Sequence, residues 1–203
     1  MQHQGGTASI VERRIHTNTI DVVFPSVFGL KNEAVQEKIN TLIESIVRGM
    51  MTVQGSQDPN LAEMVGTFTI ELNKENLLSI RFENFVIRKM AANGTTLLEA
   101  LTVDLKTGKV YSLNDLFVKT RPYRIQLNKI IEAQIKQQDI PTIGPFPGVK
   151  DDQDFYLKPK SLVIFFQELV FTPHFVGPPE FEIPYSQLTG LINMQGPIGR
   201  LIR

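Results

Sequence analysis

The spacing of apolar residues predicts two amphipathic helices. The first runs through residues 35–50 with charged side chains on its other side, and Asn32 is suited to be its N-cap. The second contains Pro122 in its first turn, a position that proline favours. The apolar stripes consist of Val35, Ile39, Leu42, Ile43, Ile46, Val47 and Met50 in the first helix, and of Tyr123, Leu127, Ile130, Ile131 and Ile135 in the second.

Alternation of apolar and polar residues predicts strands on either side of the first helix. The β-like pattern from Ile10 to Phe24 is expected to end at Pro25, because proline cannot donate to a strand ladder. Between residues 67 and 105, three or four alternating runs are joined by short turns that include Asn93-Gly94, a strong hairpin signal. These runs predict an antiparallel meander with one apolar face.

The chain is organised around the stretch Ser161 to Ile192. Its apolar run, Leu162 to Phe171, is rich in β-branched and aromatic residues and is interpreted as a strand. A loop follows, then a second strand over residues 180–183 that Pro184 closes, and then a short helix that begins at Ser186.

The fold class predicted from these elements is α+β: an antiparallel meander packed by two amphipathic helices, with a short C-terminal helix. The chain has 203 residues and contains no internal repeat or linker, so a single domain over residues 1–203 is the economical solution. Residues 1–9 are small and polar and are expected to be disordered.

Composition excludes several classes of partner and site. Lys+Arg and Asp+Glu both number 21, so no net field favours nucleic acid. No apolar segment has the length of a membrane span or of a signal-peptide core, so membrane insertion is not expected. The chain has no cysteine, which excludes disulfides, thiolate metal sites and cysteine nucleophiles.

Motifs for catalysis, metals or cofactors are not found, and no cofactor is predicted. The three histidines, His3, His16 and His174, are scattered along the chain. The acidic residues between positions 151 and 154 could hold calcium, but they lack the glycine and the distal glutamate of an EF-hand loop. A solvated loop is the simpler interpretation.

Three glutamates in the organising stretch have two interpretations each. Glu180 and Glu182 lie on one face of a strand with Cα atoms about 6.6 Å apart. They could serve as paired carboxylates of a hydrolase, or as outward charges that protect an edge strand. Glu168 interrupts an apolar run, so it either is buried with a partner or faces solvent at a strand end.

The loop between the two strands of the stretch is the candidate binding site. Its prolines lower the entropy lost on binding, and an exposed Phe175 would supply contact area for sugars or proteins. Alternatively, Phe175 plugs the edge of the core. The candidate ligand-binding residues are Thr172, His174, Phe175, Pro178 and Glu180.

Several segments together resemble the RsiV-like domain family. The C-terminal signature consists of DQDFYL at 152–157, the apolar strand from Leu162, and PPEFEIPYSQL at 178–188. Upstream, residues 24–32 resemble the family's entry into its helix, and SLNDLF at 112–117 resembles its "x-L-x-D-L-F" turn. The resemblance covers residues from about 15 to 192, nearly the whole chain.

The resemblance implies a non-catalytic α+β domain that is usually extracytoplasmic in bacteria. Such domains occur as the sensor ectodomain of a lysozyme-responsive membrane anti-sigma factor and beside peptidoglycan deacetylase domains. The expected partner is therefore a cell-wall glycan or a wall-associated protein such as lysozyme. Two alternatives stay open: a polysaccharide hydrolase, and a cytoplasmic protein-interaction domain if Met1 is the native start.

Overall fold

A computed structural model describes residues 6–203 and shows an α+β protein, as the sequence predicts. The chain forms two compact units, the first ending at Lys109 and the second running from Val110 to Arg203. Each unit contains its own sheet and at least one helix. Within the described residues, no helix combines the length and the apolar character that crossing a membrane requires.

The first unit is a five-stranded sheet with one long helix. The strands lie in the spatial order β1-β2-β3-β4-β5, and every neighbouring pair is antiparallel except β2 and β3. That parallel pair is short, because it joins only Ile20–Val22 to Met64–Gly66. The elements are β1 (Ser9–His16), β2 (Ile20–Phe28), α1 (Glu33–Val53), β3 (Leu61–Lys74), β4 (Leu77–Arg88) and β5 (Thr95–Asp104).

Helix α1 confirms the first predicted apolar stripe. Its N-cap is Asn32, whose side-chain Oδ1 accepts a hydrogen bond from the backbone N–H of Val35 at 3.2 Å. Ile39, Ile43 and Val47 are buried in the core that the helix shares with the sheet. The strands β3, β4 and β5 likewise form the predicted antiparallel meander.

The prediction that Pro25 ends a strand is wrong, since Pro25 lies inside β2 opposite Glu12 of β1. The predicted single β-like run is also split into β1 and β2 by a turn at residues 17–19. Pro25 is tolerated because β2 pairs with β3 only as far as Val22. Its missing N–H therefore costs no hydrogen bond to β3.

Gly66 lies where β2 and β3 meet, and its missing side chain allows their close approach. A Cβ atom on Gly66 would lie 2.6 Å from Cγ1 of Val22 and 2.8 Å from Oδ1 of Asn84. Asn84 is buried and donates from its side-chain amide to Oε1 of Gln54 at 2.6 Å. Because Gln54 follows the last residue of α1, this bond ties the end of the helix to β4.

The N-terminal segment differs in part from its predicted disorder. Residues 1–5 lie outside the described residues, but Ala8 is buried and Ser9 begins β1. The backbone N–H of Ala8 donates to Oδ1 of Asn73 at 2.9 Å, and the carbonyl of Gly6 accepts from the N–H of Asn76 at 2.8 Å. These bonds hold the segment against the β3–β4 turn.

The second unit is a three-stranded antiparallel sheet, in the order β6-β7-β8, with two helices. The side chain of Gln134 on α2 donates to the backbone carbonyl of Glu182 on β8 at 2.8 Å, so this helix lies beside that strand. The elements are α2 (Tyr123–Gln137), β6 (Phe155–Leu157), β7 (Ser161–Phe165), β8 (Glu180–Pro184) and α3 (Pro197–Leu201), with 3₁₀ helices at Leu113–Leu116, His174–Val176 and Tyr185–Leu188.

Two details of the second unit differ from the sequence prediction. Strand β7 ends at Phe165, so the apolar run as far as Phe171 is only partly a strand. The helix expected from Ser186 is a 3₁₀ turn, and the short C-terminal helix is instead α3, which begins with Pro197 at a first-turn position.

Candidate functional site

The candidate loop comprises residues 166–179, which join β7 to β8. It contains a 3₁₀ turn over His174–Val176 that Gly177 ends with φ +72°, a left-handed conformation that glycine adopts without a steric penalty. Because β7 and β8 are hydrogen-bonded neighbours, the two ends of the loop are fixed by the sheet. The loop is thus a connection with a defined conformation.

Four phenylalanines, two of them within the candidate loop, form a cluster of contacting rings that we call the aromatic floor: Phe146, Phe166, Phe171 and Phe181. Phe171, within the loop, contacts Phe166 edge-on with ring centroids 5.3 Å apart and stacks near Phe181 at 6.4 Å. Phe146 contacts both Phe166 and Phe171 at 5.5 Å. Phe166, Phe171 and Phe181 are buried. This aromatic floor explains why the apolar run continues beyond the end of β7.

Glu168 is nearly buried, and it has the partner that a buried carboxylate requires. Its side chain is only 10% exposed, and its Oε2 lies 3.1 Å from Nδ1 of His174. Of the two interpretations of Glu168, the structure therefore favours burial with a partner over a solvent-facing strand end. The contact links the start of the candidate loop to its 3₁₀ turn.

Phe175 projects from the candidate loop, with 78% of its surface exposed. It is therefore not a plug at the edge of the core. Two further apolar residues of the loop are also exposed, Leu169 at 55% and Val170 at 49%. Sequence reasoning missed this pair because both belong to the apolar run that was interpreted as a buried strand.

The five predicted site residues lie in different environments. Phe175 and Glu180 are exposed, His174 and Pro178 are half-buried, and Thr172 is buried. Four of them are thus at least partly accessible, three in the candidate loop and Glu180 at the start of β8, while Thr172 is buried next to Phe171 in the chain.

Glu180 and Glu182 are both exposed on β8, and each carboxylate is already hydrogen-bonded. Oε2 of Glu180 accepts from the Tyr156 hydroxyl at 2.8 Å. Glu182 accepts from Nζ of Lys158 at 2.8 Å and from the Ser161 hydroxyl at 2.6 Å. The Lys158 bond, followed by the Ser161 bond, holds the pKa of Glu182 below its ordinary value. A carboxylate whose pKa is lowered, like that of Glu182, does not provide the raised-pKa acid of a glycosidase.

A cleft of about 180 Å³ adjoins the candidate loop at Gln167 and Val170. Asp152 and Asp154 also line it, and burial followed by the charge of Asp152 raises the pKa of Asp154. The third residue of the acidic cluster, Asp151, is paired with Arg124 at 2.8 Å. Among the described residues, no group of three or more His, Asp or Glu side chains is arranged to hold a metal ion.

The fold and the site together define an α+β protein whose candidate site is a loop with exposed apolar residues between two paired strands. Residues 114–186, within the second unit, match the family model described as a protein of unknown function, DUF3298. The chain is also 27% identical over 191 residues to anti-sigma-V factor RsiV of Bacillus subtilis (strain 168). That alignment covers 86% of this chain and 66% of RsiV, so the chain spans just under two thirds of this relative's length.

Two crystal structures share the fold. A DUF3298 family member from Bacteroides fragilis NCTC 9343 has a TM-score of 0.72 and 15% identity, and the match covers 98% of this chain and 99% of that one. A DUF3298 family protein from Pseudomonas aeruginosa PAO1 has a TM-score of 0.64 and 15% identity, with coverages of 92% and 93%. Together these findings support the RsiV-like domain family for this chain, which confirms the resemblance seen in its sequence.

Proposed function

We propose that this chain is a non-catalytic binding or sensor domain that recognises a wall-associated protein such as lysozyme, or a cell-wall glycan, through the candidate loop. The observation that carries the proposal is Phe175, which is 78% exposed on a loop supported by buried aromatic rings. Burying a phenylalanine on binding is favourable by about 1.5–3 kcal/mol. A preformed loop also loses little conformational entropy when a partner binds.

The similarity to an anti-sigma factor supports a regulatory role, because an anti-sigma factor acts by binding another protein. It also supports an extracytoplasmic location, which the family resemblance implies. Fractionating cells that express the natural gene would test the location. Recovery of the chain only with cytoplasmic proteins would favour the alternative of a cytoplasmic interaction domain.

Calorimetric titration of the purified chain with lysozyme, and separately with soluble peptidoglycan fragments, tests the proposed function. Saturable binding to one of them is expected, and Phe175→Ala should weaken it about tenfold or more, since each 1.4 kcal/mol is a factor of ten. Ile125→Ala is the matched control, because Ile125 is 70% exposed on α2, outside the loop. Absence of binding to both probes up to about 1 mM would refute the proposal.

A further inference from the structure

Leu169 is held in an unfavourable state in two respects. Its φ of +63° is left-handed, which costs a residue with a Cβ roughly 1–2 kcal/mol. Its apolar side chain is also 55% exposed, next to Val170 at 49%. A strained and exposed bulky residue indicates a surface whose conformation is fixed for contact with something else.

The Glu168–His174 contact sets the positions of these exposed residues. Leu169 directly follows Glu168, and Phe175 directly follows His174, so both exposed side chains start from the two joined residues. The intervening Phe171 is fully buried in the aromatic floor. The loop therefore exposes apolar side chains at Leu169–Val170 and at Phe175. The Glu168–His174 contact links these two places, and Phe171 of the aromatic floor lies between them in the chain.

We propose that Leu169 and Val170 form a second apolar contact beside Phe175, and that Glu168 and His174 are positioning residues that hold both contacts for a protein partner. This inference rests on the proposed function and deepens it. The partner expected is a protein with apolar depressions on its surface. Exposed aliphatic side chains gain little from the hydroxyls of a glycan, whereas they gain free energy when buried against apolar protein surface.

The second contact is tested by Leu169→Asn and Val170→Ser in the full chain, with lysozyme as the calorimetric probe. Asparagine tolerates the left-handed conformation, so the backbone should keep its path. Each variant should weaken binding about tenfold without lowering the melting temperature, since burial of one such side chain is favourable by about that factor. Ile125→Asn is the control. Unchanged affinity for lysozyme in both variants, or wild-type binding to peptidoglycan fragments alone, would overturn the second contact.

The positioning role has a readout that needs no partner. In the 3₁₀ turn the N–H of Val176 donates to Pro173 and the N–H of Gly177 donates to His174, both at 3.0 Å. Glu168→Ala should speed hydrogen exchange at these two amides, and His174→Ala should speed exchange at Val176 by a similar factor. The double variant should exchange little faster than either single variant, because each substitution removes the same Glu168–His174 contact.

Exchange that is unchanged in both single variants would overturn the positioning role, even if lysozyme binds. Conversely, faster exchange in a chain that binds neither lysozyme nor peptidoglycan fragments would refute the proposed function and the second contact, and would leave the positioning role standing. The two failures are therefore distinguishable.

Discussion

Replacing Phe171 by alanine should lower the free energy of unfolding by about 3–5 kcal/mol, whereas Phe175→Ala should lower it by about 1 kcal/mol or less. Phe171 is fully buried among Phe146, Phe166 and Phe181, so its removal leaves a cavity. Phe175 has only about a fifth of its surface covered, so about a fifth of the same cost is expected. The two residues lie four positions apart in one loop, which makes them a matched pair.

Thermal unfolding followed by circular dichroism measures the difference. For a chain of this size, 1 kcal/mol shifts the melting temperature by about 2–4 °C. Phe171→Ala should therefore lower it by roughly 6–20 °C and Phe175→Ala by roughly 4 °C or less. A fall in melting temperature for Phe175→Ala as large as that for Phe171→Ala would refute the reasoning. It would favour the alternative interpretation, in which Phe175 plugs the edge of the core. The same Phe175 variant then serves for the binding measurement.

Further predictions concern glycines, a carboxyl group and cooperativity. Gly66→Ala should lower the free energy of unfolding, measured in urea, by about 1–3 kcal/mol because of the contact with Val22. Gly49→Ala should raise it by about 0.5–1 kcal/mol, because Gly49 is exposed inside α1 and the new Cβ would have no atom within 4 Å. The fold raises the pKa of Asp154, so its ionised form opposes folding and its contribution to stability falls as pH rises through that pKa. Asp154→Asn should therefore raise the melting temperature at pH 7, and the gain should vanish below about pH 4; a gain that persists at low pH would contradict this cause. Finally, calorimetry of the whole chain should show one transition if residues 1–203 form a single domain, and two transitions would separate the units at Lys109.

Regular periodicity made the larger elements predictable. The stripe of α1 and the cap at Asn32 were readable because burial on one side of a helix imposes a 3.6-residue period. The meander of β3, β4 and β5 was readable from alternation and turn residues. Pro25 was misjudged because its place in β2 depends on where β3 stops pairing, and the sequence of β2 carries no sign of that.

The position of the candidate loop was predictable from the sequence, but the conformation of its residues was not. Prolines and an aromatic residue marked the loop, and Phe175 is indeed exposed. The same apolar run, however, contains buried Phe171 and exposed Leu169 two positions apart. Composition alone could not separate them, because no residue type in the run marks the end of β7 at Phe165 or the left-handed turn at Leu169.

The aromatic floor has a consequence for the evolvability of this domain. The rings that fix the backbone of the candidate loop are different residues from the side chains that project from it. Projecting residues can therefore be exchanged without altering the frame, much as antibody loops vary on a constant sandwich. If the proposed function holds, a few substitutions at positions such as 169, 170 and 175 would change the partner, and those positions are where a designer would graft a new specificity.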